Sequence, residues 1–312
     1  MNAEQRTVPP DARGARPRNA AGQAAAVPQT SMSPSHRFLK RFRRHKPAVA
    51  SLVFLAIACV VALAAGLLAP HDPLAQDLTR VLQPPSSANW LGTDELGRDV
   101  LSRLLHGAQI SMLAAVQATA IALVLGVPPG LAAGFFGRRF DTVIMALTDV
   151  VMSFPALILA ISITAVMGPG LTNAMLAVGV IVSPRVVRLV RSAVMQVVQE
   201  TYIEASVSIG TPRHRVIRQH VLPNIMAPLI VFSSILAGQA MLIEAGLSFI
   251  GLGVQPPQAS WGAMLGSAFR HIARAPTLIL FPGFAIALTV LALNTLGDGI
   301  RDSIGRESRR TK

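Results

Sequence analysis

ETYIEASVSIGTPRHRVIRQHVLPN, residues 200 to 224, is the one long polar interval in the apolar half of this chain. Thr201 to Ile209 reads as a short helix stopped by Gly210, because glycine enters positive φ without steric cost. A second helix is expected at once. Thr211 suits an N-cap, Pro212 suits the first helical position, and Val216, Ile217 and Val221 fall on one face with Arg213, Arg215 and Arg218 elsewhere. Pro223 is expected to close that helix before the next apolar run. The stretch therefore reads as helix, glycine break, helix, placed between two membrane-length segments: the shape of a docking knob.

The flanking sequence sets the fold class. The 312 residues are 52% hydrophobic and 14% charged, with a mean hydropathy of +0.51, too apolar for an ordinary soluble protein and too long for a single anchor. Apolar runs of bilayer length cover about Ala48 to Ala69, Ile110 to Phe136, Thr142 to Met167, Leu171 to Val190, Ile225 to Ala245 and Pro276 to Leu296, each near the roughly 20 residues a crossing needs. The expectation is an all-α polytopic membrane protein with six transmembrane helices and both termini cytoplasmic. Pro128, Pro129 and Gly130 are expected to kink the second crossing or end it early. Gly168-Pro169-Gly170 reads as a tight outside turn, and the span to about Ala275 as an outside loop.

Charge placement orients this plan. The net charge of +13 could suggest nucleic acid, but 23 of the 28 Lys and Arg fall on one side of the six-crossing plan, which is the positive-inside bias and needs no nucleic-acid partner. Residues 1–35, rich in Ala, Pro, Arg, Gln and Ser, read as a disordered cytoplasmic tail. Residues 36–47 read as a basic juxtamembrane segment, 48–306 as the membrane domain and 307–312 as a second tail. A cleaved signal peptide is the rival reading of the first run, and its length and late start favour an uncleaved helix. Trp90 and Trp261 both fall on the outer side, where amphipathic rings favour the interface. Arg185, Arg188 and Arg191 can share one face of the fourth crossing and reach the inner interface by snorkelling.

Chemistry of its own is not indicated. No G-x-x-x-x-G-K-[ST] loop and no H-E-x-x-H occurs, so if ATP powers this protein another chain must bind it. The seven histidines are scattered, and Cys59, the only cysteine, falls in the first apolar run, which leaves no internal disulfide and no thiolate metal site. Ionisable or polar groups inside crossings usually face protein or a water-filled path. Asp149 qualifies either as an interhelical bond or as a solute contact, Glu244 as a gate contact or a loop cap near the outer mouth, and Asn294 as a helix-packing hydrogen bond.

Glu204-Ala205, Gly210 six residues after Glu204, and Leu222-Pro223 twelve residues after Gly210 resemble the E-A-A, G and I-x-L-P loop of ABC importer permeases. Ser206 departs from the pattern at the second alanine and His220 where isoleucine is usual, and His220-Val221-Leu222-Pro223-Asn224 is closer to the peptide-importer branch. Leu91 to Arg103, Glu244 to Pro257 with Ser260-Trp261-Gly262, and Asn294 to Asp302 resemble the C-type subunit of dipeptide, oligopeptide and nickel permeases. The ending Gly305-Arg306-Glu307 stands where that family usually has Asp-Pro-Arg. The charges of the first of these motifs read equally as a solvated loop, with a local Asp99 and Arg103 pair at helical spacing, or as a partner contact.

The resemblance implies a permease subunit of an ATP-driven importer in a bacterial inner membrane. It would pair with a second permease, dock two cytoplasmic ATPases that use ATP and Mg, and receive peptides or a similar small solute from an extracytoplasmic binding protein. Tyr202, Glu204, Ala205, Gly210, His220, Leu222 and Pro223 would form the ATPase-coupling loop, and no cofactor would be bound by this chain. An ion-coupled secondary transporter is the alternative. It would need mid-membrane acids and no ATPase.

Overall fold

The computed structural model describes residues 34–305. The tail readings of residues 1–33 and 307–312 lie outside the described residues. The basic segment forms α1 (Pro34–Phe42), and α2 (Lys46–Leu63) follows, capped by the His45 ring, which accepts the Ala48 N–H. At Ala64 the helix breaks into the single turn α3 (Ala65–Leu68). After an extended segment come α4 (Val100–Phe136), α5 (Arg138–Met152), α6 (Ala156–Met167) and α7 (Leu171–Val198). Short helices α8 (Thr201–Ser208) and α9 (Arg213–Val216) precede α10 (Leu222–Phe249), and α11 (Trp261–Arg270) and α12 (Leu280–Gly305) complete the chain. The described residues contain no strand, only one isolated bridge between Thr93 and Asp99.

Two ladders with a four-residue step build the centre. On α4 the buried positions Ala114, Ala118, Ala122, Gly126 and Gly130 are all small, and Gly134 continues the row. On α7 the facing row is Val178, Val182, Val186, Val190 and Val194, all buried. Residues four apart lie on one helix face, so small rungs on α4 receive branched rungs on α7. A Cβ on Gly126 would stand 2.6 Å from Val186 Cβ, and one on Gly130 or Gly134 would stand 2.7 Å from Val190 or Val194 Cβ. In a bilayer, where lipid tails supply no hydrophobic drive between helices, such close approach holds the pair together. Gly130→Val should therefore destabilise the protein by about 1–3 kcal/mol through overpacking. The check is a lowered unfolding temperature in detergent, with the exposed Gly66, which has nothing within 4 Å, changed to Ala as the control.

This ladder also explains why the second crossing does not end at Pro128-Pro129. The prolines remove two backbone donors, yet α4 runs on to Phe136 and is ended by Gly137 at φ +59. Gly126, Gly130 and Gly134 grip α7 on both sides of the prolines and keep the two halves in register.

The third crossing is not one helix. α5 and α6 meet at a bend of 88° over Ser153-Phe154-Pro155, where Pro155 lacks an N–H and drives Phe154 out of helical geometry. Among the described residues, five helical stretches are long and apolar enough to cross a bilayer, and six if this bent pair counts as one span. The loop after α10, expected to lie outside, contains α11, packed on α4, α10 and α12. Trp261 is correspondingly not an interfacial ring. It is buried, with Nε1 donating to the Leu104 carbonyl at 3.0 Å, whereas Trp90 is exposed.

Candidate functional site: the loop between α7 and α10

The polar stretch forms α8, a sharp break at Gly210 with φ +84, and α9. Two local expectations give way. Pro212 occupies the cap position of α9 in place of Thr211, and Pro223 does not stop the second helix. A π-helical turn, Ile217–Val221, fuses α9 to α10, and Pro223 falls in the first turn of α10, where its missing N–H is tolerated. The five-residue step of that turn lets Val216 and Val221 share one inward face with Ile225, and all three are buried. An unbroken α-helix would rotate Val221 away.

Ile203 on α8 joins the same core as Val216 and Val221, so both halves of the knob are pinned to the bundle. Asn224 ties them to each other: its Nδ2 donates to the His220 carbonyl at 2.6 Å and to Tyr202 Oη at 3.1 Å. The Tyr202 and His220 rings meet edge to face at 6.2 Å. Outward, the knob presents Val207 and Ile209, the latter 83% exposed, with Tyr202, Glu204, Ala205, Arg213, His214, Arg215 and Arg218 around them. The result is a buried base under an exposed apolar tip with a basic rim.

The three path candidates fall at separate places. Asp149 on α5 pairs with Arg188 on α7 at 2.6 Å, both side chains about half exposed. Asn294 on α12 faces Gly238 of α10, its Oδ1 3.4 Å from where a Cβ would stand. Glu244 is sealed at 0% exposure. Ser248 Oγ donates to its Oε1 at 2.6 Å and accepts the Val254 N–H, while Oε2 has no hydrogen-bond partner.

Two polar features were not legible beforehand. Arg185, Arg188 and Arg191 do not snorkel alone, because neighbouring helices supply partners: Gln239 on α10 for Arg185, Asp149 for Arg188 and Asp141 on α5 for Arg191. The second is a buried charge cluster ahead of α4. Asp94 Oδ1 accepts the Leu96 and Arg98 N–H groups at 2.9 Å, and its Oδ2 accepts Arg98 Nε at 2.7 Å and forms an ion pair with Arg103 Nε, 3.2 Å away. Arg103 thus pairs with Asp94 and not with Asp99. Asp99 caps α4 instead, accepting from Ser102 N and Oγ and from Asn89 Nδ2. Burial alone would raise the Glu95 carboxyl, but a hydrogen bond from Ser267, its own backbone N–H and the Arg98 and Arg103 charges outweigh it and hold the group below the usual range. Two positions of the segment demand a residue without Cβ: Gly92, at φ +82 against the Gln83 carbonyl, and Gly97, at φ +71 against the Asp77 carbonyl.

Helices of spanning length and apolar composition define a multi-pass membrane protein. Residues 126–310 match the family of binding-protein-dependent transport system inner membrane components, and residues 33–85 match the N-terminal transmembrane domain of oligopeptide transport permease C. The chain is 43% identical to the di/tripeptide transport system permease protein DppC of Pseudomonas aeruginosa, covering 87% of this chain and 92% of that one. It is 40% identical to the glutathione transport system permease protein GsiD of Pectobacterium atrosepticum, over 87% and 91%. The fold resembles that of the methionine ABC transporter MetNI in its inward-facing conformation, with a TM-score of 0.54 at 21% identity over 64% of this chain and 95% of that one. The chain belongs to the ABC importer permeases, the membrane components of binding-protein-dependent transport systems. Its role is that of a permease subunit, which works with ATPase subunits that hydrolyse ATP and with a binding protein.

Proposed function

We propose that this permease carries peptides or closely similar small solutes across a bacterial inner membrane. It does so with a second, related permease, two ATPases that bind ATP and Mg, and an extracytoplasmic binding protein. The relatives named for di/tripeptide and glutathione transport support the solute class. The chain crosses six times, with the bent pair α5–α6 as one crossing and both termini in the cytoplasm, so that the knob at 200–224 faces the ATPases. One observation carries the coupling role: the exposed Val207 and Ile209 tip stands on a base pinned by Ile203, Val216 and Val221. Movement of a docked ATPase then passes to α7 and α10 without being absorbed in a slack loop. The fitting cleft has an apolar floor and an acidic rim, with Glu204 as the lone acid on α8 and Gly210 as the permitted sharp turn.

The test is uptake of a radiolabelled dipeptide into proteoliposomes holding the complete complex, with its binding protein outside. Uptake that requires ATP and ignores an imposed ion gradient supports this reading. Uptake driven by the gradient with ATP absent would favour an ion-coupled transporter and refute it.

A further inference from the structure

Arg185 lies at the midpoint of α7, 14 residues after Leu171 and 13 before Val198, or about 20 Å from either end at 1.5 Å per residue. It is nevertheless exposed, as are Arg188 one turn on and Ser192 on the same face. A charged side chain within a spanning helix usually faces protein or water. The groups turned toward this face come from three helices: Asp141 and Asp149 on α5, Arg188 and Arg191 on α7, and Gln239 on α10. Two of the three guanidiniums are matched by carboxylates. Arg185 is not, since its Nη1 donates to the neutral Gln239 Oε1, so the row carries one uncompensated positive charge at the deepest rung.

We propose that this face of α7 is the wall of a water-filled path and that Arg185, steadied by Gln239, takes a carboxylate of the passing solute. The guanidinium fork matches a carboxylate with two parallel donors, and Gln239 engages only one of its nitrogens, leaving donors for the solute. Asp149 and Arg188 form the next rung, where a solute ammonium and carboxylate can exchange with the existing pair as the solute moves inward. The proposal rests on the permease reading above and adds a solute chemistry to it: a free carboxylate is needed for passage, beyond whatever the binding protein selects.

The experiment uses the complete complex, purified through this chain and reconstituted, with Cys59 replaced by Ser so that one new thiol reports. Gln239→Cys places the thiol at Arg185, and Ser192→Cys places it further along the same face. Each is reacted with an anionic and a cationic methanethiosulfonate of similar size, and with a lipid-soluble maleimide. The expected result is reaction with both water-soluble reagents, with the anionic one favoured about tenfold at Gln239→Cys relative to a free thiol in solution. Adding Arg185→Gln should bring that ratio to about parity. Thiols that react only with the maleimide would overturn the proposal, as would a ratio that Arg185→Gln leaves unmoved. Mass spectrometry of the same preparation separates the two readings. Absence of any ATPase refutes the permease assignment and this proposal together, while a full complex with unreactive thiols refutes only the wall.

Discussion

Replacing Gly210 with valine leaves membrane insertion and complex yield intact and lowers ATP-dependent uptake at least tenfold. The position tolerates volume, since a Cβ there would meet nothing within 4 Å, but its φ of +84 is closed to branched side chains. An ordinary L-residue gives up about 1–2 kcal/mol in that region, and a β-branched one more. The least costly response is to re-orient α8 against α9, which carries the Val207 and Ile209 tip out of register with its cleft while Ile203 and Val216 keep the base folded. The expected signature is ATPase activity that no longer responds to the loaded binding protein. Gly210→Asn, which enters the left-handed region more readily, should retain most uptake. Uptake equal to the parent in the valine variant would remove the basis for the coupling role.

Removing the Asp94 carboxylate should have the largest effect on stability. Asp94→Ala leaves buried Arg103 without its ion pair and Arg98 with Glu95 alone, and stranding a buried charge in this way costs about 3–5 kcal/mol. Against a total stability of about 5–15 kcal/mol, that should abolish most folded yield or depress the unfolding temperature severely. Asp302→Ala is the matched control. Its carboxylate is 60% exposed and 3.6 Å from His45, and exposed pairs contribute about 1 kcal/mol or less. Unfolding curves of the two variants in one detergent give the comparison, and equal shifts would show that the Asp94 cluster is no more than a surface network.

The contrast between these sites shows what sequence can carry. Gly210 was readable because a single residue type answers a local backbone demand, and the two short helices around it because polarity and spacing act within 25 residues, although the cap at Pro212 and the run past Pro223 were not. Asp94, Arg98 and Arg103 were not. Helical spacing favours Asp99 with Arg103, but Asp99 is consumed in capping α4, which frees Arg103 to turn back to Asp94. Pro128-Pro129 misled for a related reason, since the local rule for proline ignores the glycine row that α7 grips. Pro155 shows the same rule succeeding where no such grip opposes it. The π turn at Ile217–Val221 was not legible, because Val216, Ile217 and Val221 also fit one broad face of an unbroken α-helix.

The central claim is that residues 200–224 seat in an ATPase, and one measurement tests it most directly. A photo-crosslinking residue at Ile209, the most exposed apolar position of the knob, is activated in membranes that hold the complete complex, and the adduct is identified by mass spectrometry. The account predicts a single protein adduct, to a P-loop ATPase, in a yield that changes when ATP is bound. Adducts to lipid alone, or to the extracytoplasmic binding protein, would place the knob away from any ATPase and contradict it.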